Sequence, residues 1–411
     1  MRRVVLGLPV VIACVHAPVP IAAHDAPAIP ENQTRHYTIW LGGARVGTAT
    51  ETETWSAAGL RFEREEIMHF LRGESDVELA TTIDIDADLA LVPSRVRWTE
   101  RSREVHSAEA IRVGGHWQTT GGARVPDAAV PAELVPLIVR RDGAFAGTVF
   151  LPARGFVAGA GRIDPVAPGR MVAKLELAGG SLAIATIDLD RDGTPERVVD
   201  GEGVIAIRAN AIQASAPYPA VDLIAATAVP ISGTARRGRA LRLDGDLALP
   251  PVPGQLARPT ADGIEIQLGV GWPGALPPGP AGPDRRREIT ALVSEVRRRI
   301  APDLGAGPAD TRDGAATAGD CTTYALAFAA LATSHAIPTR VVTGLRLDGD
   351  RLVRHRWAVS WTGRAWIAVD AAFGAAPAGG ELVGLAIHDA DDAGLVSGEA
   401  ALTHVRGASW Q

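Results

Sequence analysis

A chain of 411 residues is long enough for about two or three domains, and 46% hydrophobic content is ample for real cores. A formal net charge of −6 with interspersed signs excludes a nucleic-acid footprint and a basic membrane patch. With 45 glycines and 29 prolines the chain is loop-rich, and no internal repeat is evident.

The chain opens with Met1-Arg2-Arg3, an apolar run from Val4 to Val15, and Pro-rich sequence to Ala22-Ala23. This describes a secretory signal peptide over 1–23 rather than a spanning helix, which needs about 20 apolar residues, so no transmembrane helix is expected in the mature chain. Export to the periplasm or beyond the cell is expected. Val11-Ile12-Ala13-Cys14 also resembles a bacterial lipoprotein box, which would place a lipid anchor on Cys14. With cleavage after Ala23, Cys321 has no partner in the mature chain. A solitary thiol in an oxidising compartment is either buried and inert or kept for chemistry.

Residues 34–232 form the β-rich N-terminal region. Tyr37–Leu41 and Val46–Trp55 flank Gly42-Gly43; Phe62–Arg72, Val77–Ile85 and Val92–Glu100 alternate polar with apolar, and Val105–Val113 continues the series. Such runs predict antiparallel sheet, an open sandwich or a curved half-barrel, with a helical interruption near Val130–Arg140 that Pro131 could open. Further strands are expected at Met171–Leu177, Leu182–Leu189, Glu196–Val199 and Val204–Arg208. Asp188-Leu189-Asp190-Arg191-Asp192-Gly193 has the acids and glycine of a calcium loop, but its twelfth position is Val199, where a bidentate Glu is required. It reads as a polar hairpin turn. No Cys/His/carboxylate cluster has zinc spacing, and neither a metal nor a cofactor is expected.

Prolines and glycines crowd 233–284, which reads as a linker with two short strands, Ala240–Leu247 and Gly263–Leu268. A second domain is expected over 285–411. Ile289, Leu292, Val293, Val296 and Ile300 recur at helical spacing and predict an amphipathic helix at its start.

After Gly319-Asp320, a turn residue and an N-cap candidate, the run Cys321–Ser334 has no Gly or Pro and is rich in Ala and Leu, so it predicts a helix apolar nearly all round. Cys321 sits in its first turn, where the helix dipole and free N–H groups favour a thiolate and can cradle an oxyanion. Strands follow at Thr339–Leu347, Arg351–Trp361 and Arg364–Val369. Thr362-Gly363 reads as a tight hairpin turn, which opposes Trp361 to Arg364, Val359 to Trp366, Trp357 to Ala368 and His355 to Asp370. A four-residue loop gives the same register, whereas a three-residue loop separates the pair. Leu382–Ile387 is expected to be one more strand and the rest loop. The bland alternatives are a core cysteine and a structural histidine, with Trp357, Trp361 and Trp366 either lining a cleft or filling the core. His335 reads as part of the helix end.

Gly319-Asp320-Cys321 opening a helix, the run Ala336–Gly344, His355 before Trp357, and Trp366–Asp370 together resemble the core of the transglutaminase-like superfamily. The resemblance covers about 57 residues and implies an α+β, papain-like C-terminal domain, a central helix on antiparallel sheet, behind the mostly antiparallel β region. It implies Cys321 as nucleophile, His355 as general base and then acid, and Asp370 as the group orienting the imidazole. Secreted bacterial relatives often have an acid and a histidine where this chain has Thr323-Tyr324, and a proline where it has Ala371. The expected function is acyl transfer on an amide (peptide or isopeptide) bond of a protein or peptide substrate through a Cys thioester, resolved by water as in a cysteine protease or amidase. Protein-glutamine cross-linking and a non-catalytic binding module are the alternatives.

Overall fold

The computed structural model describes residues 29–411 apart from 178–181, 201–202, 234–239, 246, 262, 270–273 and 313–314. The expected leader and Cys14 lie outside the described residues. The chain is mostly β, in several sheets.

Among the described residues, fourteen strands form the first sheet, with Gln33–Leu41 at its middle. From there one meander runs through Ala44–Ser56, Gly59–Arg72, Ser75–Ala87, Pro93–Arg101 and Val105–Val113 to an edge at His116–Thr119. The other edge is Val130–Pro131, from which the chain returns through Phe145–Leu151, Val157–Ala167, Arg170–Leu177, Leu182–Leu189 and Pro195–Val199 to Ile205–Ala209, the other neighbour of the first strand. Twist accumulated over so many strands curls a sheet. Here the two ends meet: Trp117, near one edge, packs edge-to-face on Phe150, near the other, with ring centroids 5.4 Å apart. Of the two architectures expected, the single rolled sheet is found and the sandwich is not. The helical interruption is Val135–Asp142, ended by Gly143 in the left-handed region.

The acidic hairpin uses its carboxylates internally. Asp190 Oδ1 accepts N–H groups of Asp192 and Thr194, both at 2.9 Å, while Arg208 pairs with its other oxygen and Arg170 holds Asp188 at 2.6 Å.

The second sheet runs Gln255–Thr260, Gly263–Leu268, Leu241–Gly245, Val405–Trp410, Val229–Ser232, Arg351–Trp361, Thr339–Asp348, Leu382–His388. Trp366–Asp370 branches from Arg351–Trp361 and pairs in turn with Ala375–Ala378. The segment read as a linker therefore contributes three strands to this sheet. Among the elements that escaped the sequence are the strands Phe145–Leu151, Val157–Ala167 and Gln255–Thr260, the helix Asp392–Leu402 and the last strand, Val405–Trp410. That helix is apolar with glycines at 394 and 398, where helix-packing contacts replace the amphipathic stripe that periodicity detects.

Helix Arg286–Arg299 buries Ile289, Leu292, Val293 and Val296 against helix Cys321–Ser334. Together with Phe328, Ala358 and Val369 they make the core beneath the cysteine, each large aliphatic side chain contributing about 1.5–3 kcal/mol.

Candidate active site

The head of helix Cys321–Ser334 is built by the two residues ahead of it. Gly319 has no room for a side chain, because a Cβ there would lie 2.0 Å from Thr323 Oγ1. Asp320 is the N-cap: one carboxylate oxygen accepts the Thr322 N–H at 2.8 Å, and the other is held by Arg72 of the N-terminal sheet. Burial pushes the Asp320 carboxyl up, but Arg72 and the Thr322 N–H outweigh it, and the group is held below the usual carboxylate range. Cys321 follows, partly exposed.

The histidine and aspartate reach each other in a register other than the expected one. Trp361 opposes Trp366, Val359 opposes Ala368, and Ala358 opposes Val369, so the loop is Thr362–Ala365 rather than Thr362-Gly363. Thr362 closes it: its hydroxyl accepts the N–H groups of Arg364 (3.3 Å) and Ala365 (3.0 Å) and donates to the Ala365 carbonyl at 2.9 Å. The four-residue loop is centred one position later than supposed, which slides the pairing by two. An even slip leaves every side chain on its face. His355 and Asp370 are thus diagonal rather than directly opposed, and His355 Nε2 lies 2.9 Å from Asp370 Oδ2.

Strand Arg351–Trp361 is paired on one side along almost its whole length by Thr339–Asp348. On its other side Val229–Pro230 takes residues 351–352 and Trp366–Asp370 takes 358–361. Residues 353–357 face a gap between these two, among the described residues. His355 stands in the gap, and there the head of the helix brings the Cys321 side chain near enough to the ring to act on its protonation.

Both His355 and Asp370 are buried. Burial works against a charged imidazole, but the hydrogen bond to Asp370 and the closeness of the Cys321 and Asp370 side chains overcome it and push His355 up to about 10. With Nε2 committed to Asp370, Nδ1 is the nitrogen left for the sulfur. Phe373 packs edge-on to the imidazole at 5.5 Å, and Trp357 stacks near it at 6.0 Å.

Sequence reasoning missed the arginines around this centre. Arg356 donates to Thr322 Oγ1, Thr343 Oγ1 and Glu399 Oε1, each at 3.0 Å, tying the first turn of the helix to the sheet and to helix Asp392–Leu402. Thr343 also bonds His388 Nε2 at 2.9 Å; burial holds that imidazole down to about 4, so it is neutral. No local pattern marks Arg72 or Arg356, since their partners are distant in sequence. The three tryptophans prove structural: Trp357 is fully buried, and the indoles of Trp361 and Trp366 donate to the carbonyls of Pro280 and Pro277, both at 2.7 Å, pinning the proline-rich segment. Tyr324 donates to the Ile300 carbonyl at 2.7 Å, Ala371 is core, and His335 meets Glu288 at the far end of the helix.

Cys321 and His355 open on a cavity of roughly 800 Å³ that extends into the rolled N-terminal sheet. Residues 281–371 match the family model of the transglutaminase-like superfamily, a span that contains Cys321, His355 and Asp370. No curated protein and no solved structure matches the chain.

Proposed function

From a chain that carries a transglutaminase-like domain over residues 281–371, we propose a thiol-dependent acyl-transfer enzyme: Cys321 is the nucleophile, His355 the base and then the acid, and Asp370 the group that orients the ring. One observation carries this reading: the His355 ring is hydrogen-bonded to Asp370 at 2.9 Å and stands beside Cys321 at the head of the helix, both opening on one cavity. The packing of helix Cys321–Ser334 on antiparallel strands supports a papain-like arrangement.

The thiolate attacks an amide carbonyl and forms the C–S bond, the oxyanion resting on the Cys321 N–H at the helix N-terminus. The C–N bond breaks as His355 gives its proton to the leaving amine. Water then attacks the thioester, losing a proton to the same ring, the C–S bond breaks to return the Cys321 thiolate, and the acid departs. Hydrolysis is favoured over amine transfer because Cys321 is partly exposed, so water can reach the thioester. The basic and apolar N-terminus supports export, with the reaction taking place outside the cytoplasm.

The test is to quench the protein in acid after mixing with a library of acylated amines and peptides, and to look for acyl-Cys321 by mass spectrometry. Adducts absent from Cys321→Ser are expected. If iodoacetamide alkylates Cys321 as fast in His355→Ala as in the unaltered protein, the reading fails.

A further inference from the structure

We propose that the lumen of the rolled N-terminal sheet is the acyl subsite of Cys321, and that the substrate is an amide whose acyl side is a long hydrocarbon chain. This rests on Cys321 being the nucleophile. The cavity that holds Cys321 and His355 is continuous with the inner face of the sheet, where Ile39, Phe70, Val149, Ile163, Leu175 and Ile187 line it. Its roof comes from the other domain, where Leu395 and Val396 of helix Asp392–Leu402 face the same space. At roughly 800 Å³ it is of the size that encloses a small organic ligand.

Strand Gly59–Arg72 sets the direction and the length. Its last residue, Arg72, holds Asp320 beside the sulfur. Moving away from the sulfur, the lumen-facing rungs with the next strand are Phe70 opposite Val77 and Met68 opposite Leu79, both wholly apolar. The following rung, Glu66 opposite Thr81, begins a charged belt in which Arg64 bridges Glu51 (2.7 Å) and Glu66 (2.8 Å), and Arg35 pairs with Glu53. Arg72 and Glu66 are six residues apart, about 20 Å at the rise of an extended strand. A peptide threaded there would bring an N–H and a C=O at every residue past rungs that cannot bond them, whereas a hydrocarbon needs no partners. Within the belt Arg64 is met by Glu51 and Glu66, and Arg35 by Glu53, so these charges do not call for a charged end group on the acyl chain. With the chain inside, the carbonyl lies at Cys321 and the amine points to the mouth, as the leaving group requires.

The experiment measures kcat/KM for aminomethylcoumarin amides of acetic, octanoic and hexadecanoic acid. A rise of at least about tenfold from acetyl to the longer acyl groups is expected, since each buried methylene adds binding. Ala206→Phe, which fills the lumen from strand Ile205–Ala209, should cut the long-to-short ratio about tenfold. Ile207→Phe, on the outer, exposed face of the same strand, should leave the ratio alone. A flat dependence on chain length, or equal effects of the two substitutions, overturns the proposal. Binding is read separately in Cys321→Ser with the fluorescent fatty acid parinaric acid: saturable binding lost on adding Ala206→Phe supports the subsite, and no binding overturns it. Saturable binding by a protein whose thiol never forms an acyl adduct would keep the lumen as an acyl site and overturn the thiol chemistry instead.

Discussion

Arg72, the last residue of a strand in the N-terminal sheet, is ion-paired with Asp320, the residue directly before Cys321, across 248 positions of sequence. The N-terminal sheet therefore does more than adjoin the second domain, because it supplies the counter-charge for the N-cap of the helix that carries the thiol. Ser102 and His106, both 2.7 Å from Asp310, and Arg154, 3.5 Å from Glu399, tie the same two parts together.

Replacing Arg72 leaves a carboxylate buried without its partner. Arg72→Ala is expected to cost about 2–4 kcal/mol in urea unfolding, below the full cost of breaking a buried pair because Arg72 keeps some exposure. It should also slow alkylation of Cys321 by iodoacetamide, with partial recovery in Arg72→Lys. Unchanged stability and alkylation in Arg72→Ala would mean that Asp320 caps the helix unaided.

The imidazole of His355 holds its proton up to about pH 10, so its contribution to stability is fully present below its ordinary value of 6.5 and is lost as pH rises through about 10. Asp370→Asn removes the acceptor charge. The variant is expected to lose the upper part of that window, seen as a melting temperature that starts to fall at lower pH than in the unaltered protein, and to hydrolyse amides at least about a hundredfold more slowly. Parallel pH profiles for the two proteins would show that Asp370 does not set the protonation of the ring.

Glu133 is enclosed beside the charged belt, one of its oxygens has no hydrogen-bond partner, and burial pushes it up to about 7. An acid with a raised pKa binds its proton more tightly folded than unfolded, so it weakens the fold as pH rises from about 4.5 to about 7. Glu133→Gln should leave stability near its original value at pH 4 and raise it by about 1–2 kcal/mol at pH 8, allowing for water in the adjoining cavity. Denaturant titrations at the two pH values decide it. An equal change at both would exclude ionisation as the cause.

Gly319 has Thr323 against it, and a methyl group there must push the first helical turn aside. Gly319→Ala should destabilise by about 1–3 kcal/mol and slow thioester formation. Adding Thr323→Ala opens the space and should return part of both losses, a coupling that a double-mutant cycle measures. Additive effects would place the strain elsewhere.

The two helices Arg286–Arg299 and Cys321–Ser334 were legible to within a residue, because spacing of apolar side chains and an N-cap are local signals. The strands around His355 and Asp370 were legible for the same reason. Their register was not, since it depends on whether Thr362 bonds the backbone three residues on, and alternation of side chains looks the same after a slip of two. The closing helix and strand were invisible because their faces are defined by what packs on them.

Local pattern in the chain was enough to put an imidazole and a carboxylate on one face of a hairpin and a thiol at the head of a helix, since periods of two and of 3.6 residues dictate which side chains share a side. Only the tertiary structure decided that the hairpin's open edge admits that helix head, that Arg72 and Arg356 brace it, and that a rolled sheet opens an apolar lumen onto the sulfur. Those features come from contacts between residues tens to hundreds of positions apart, which no periodicity within a single segment can encode.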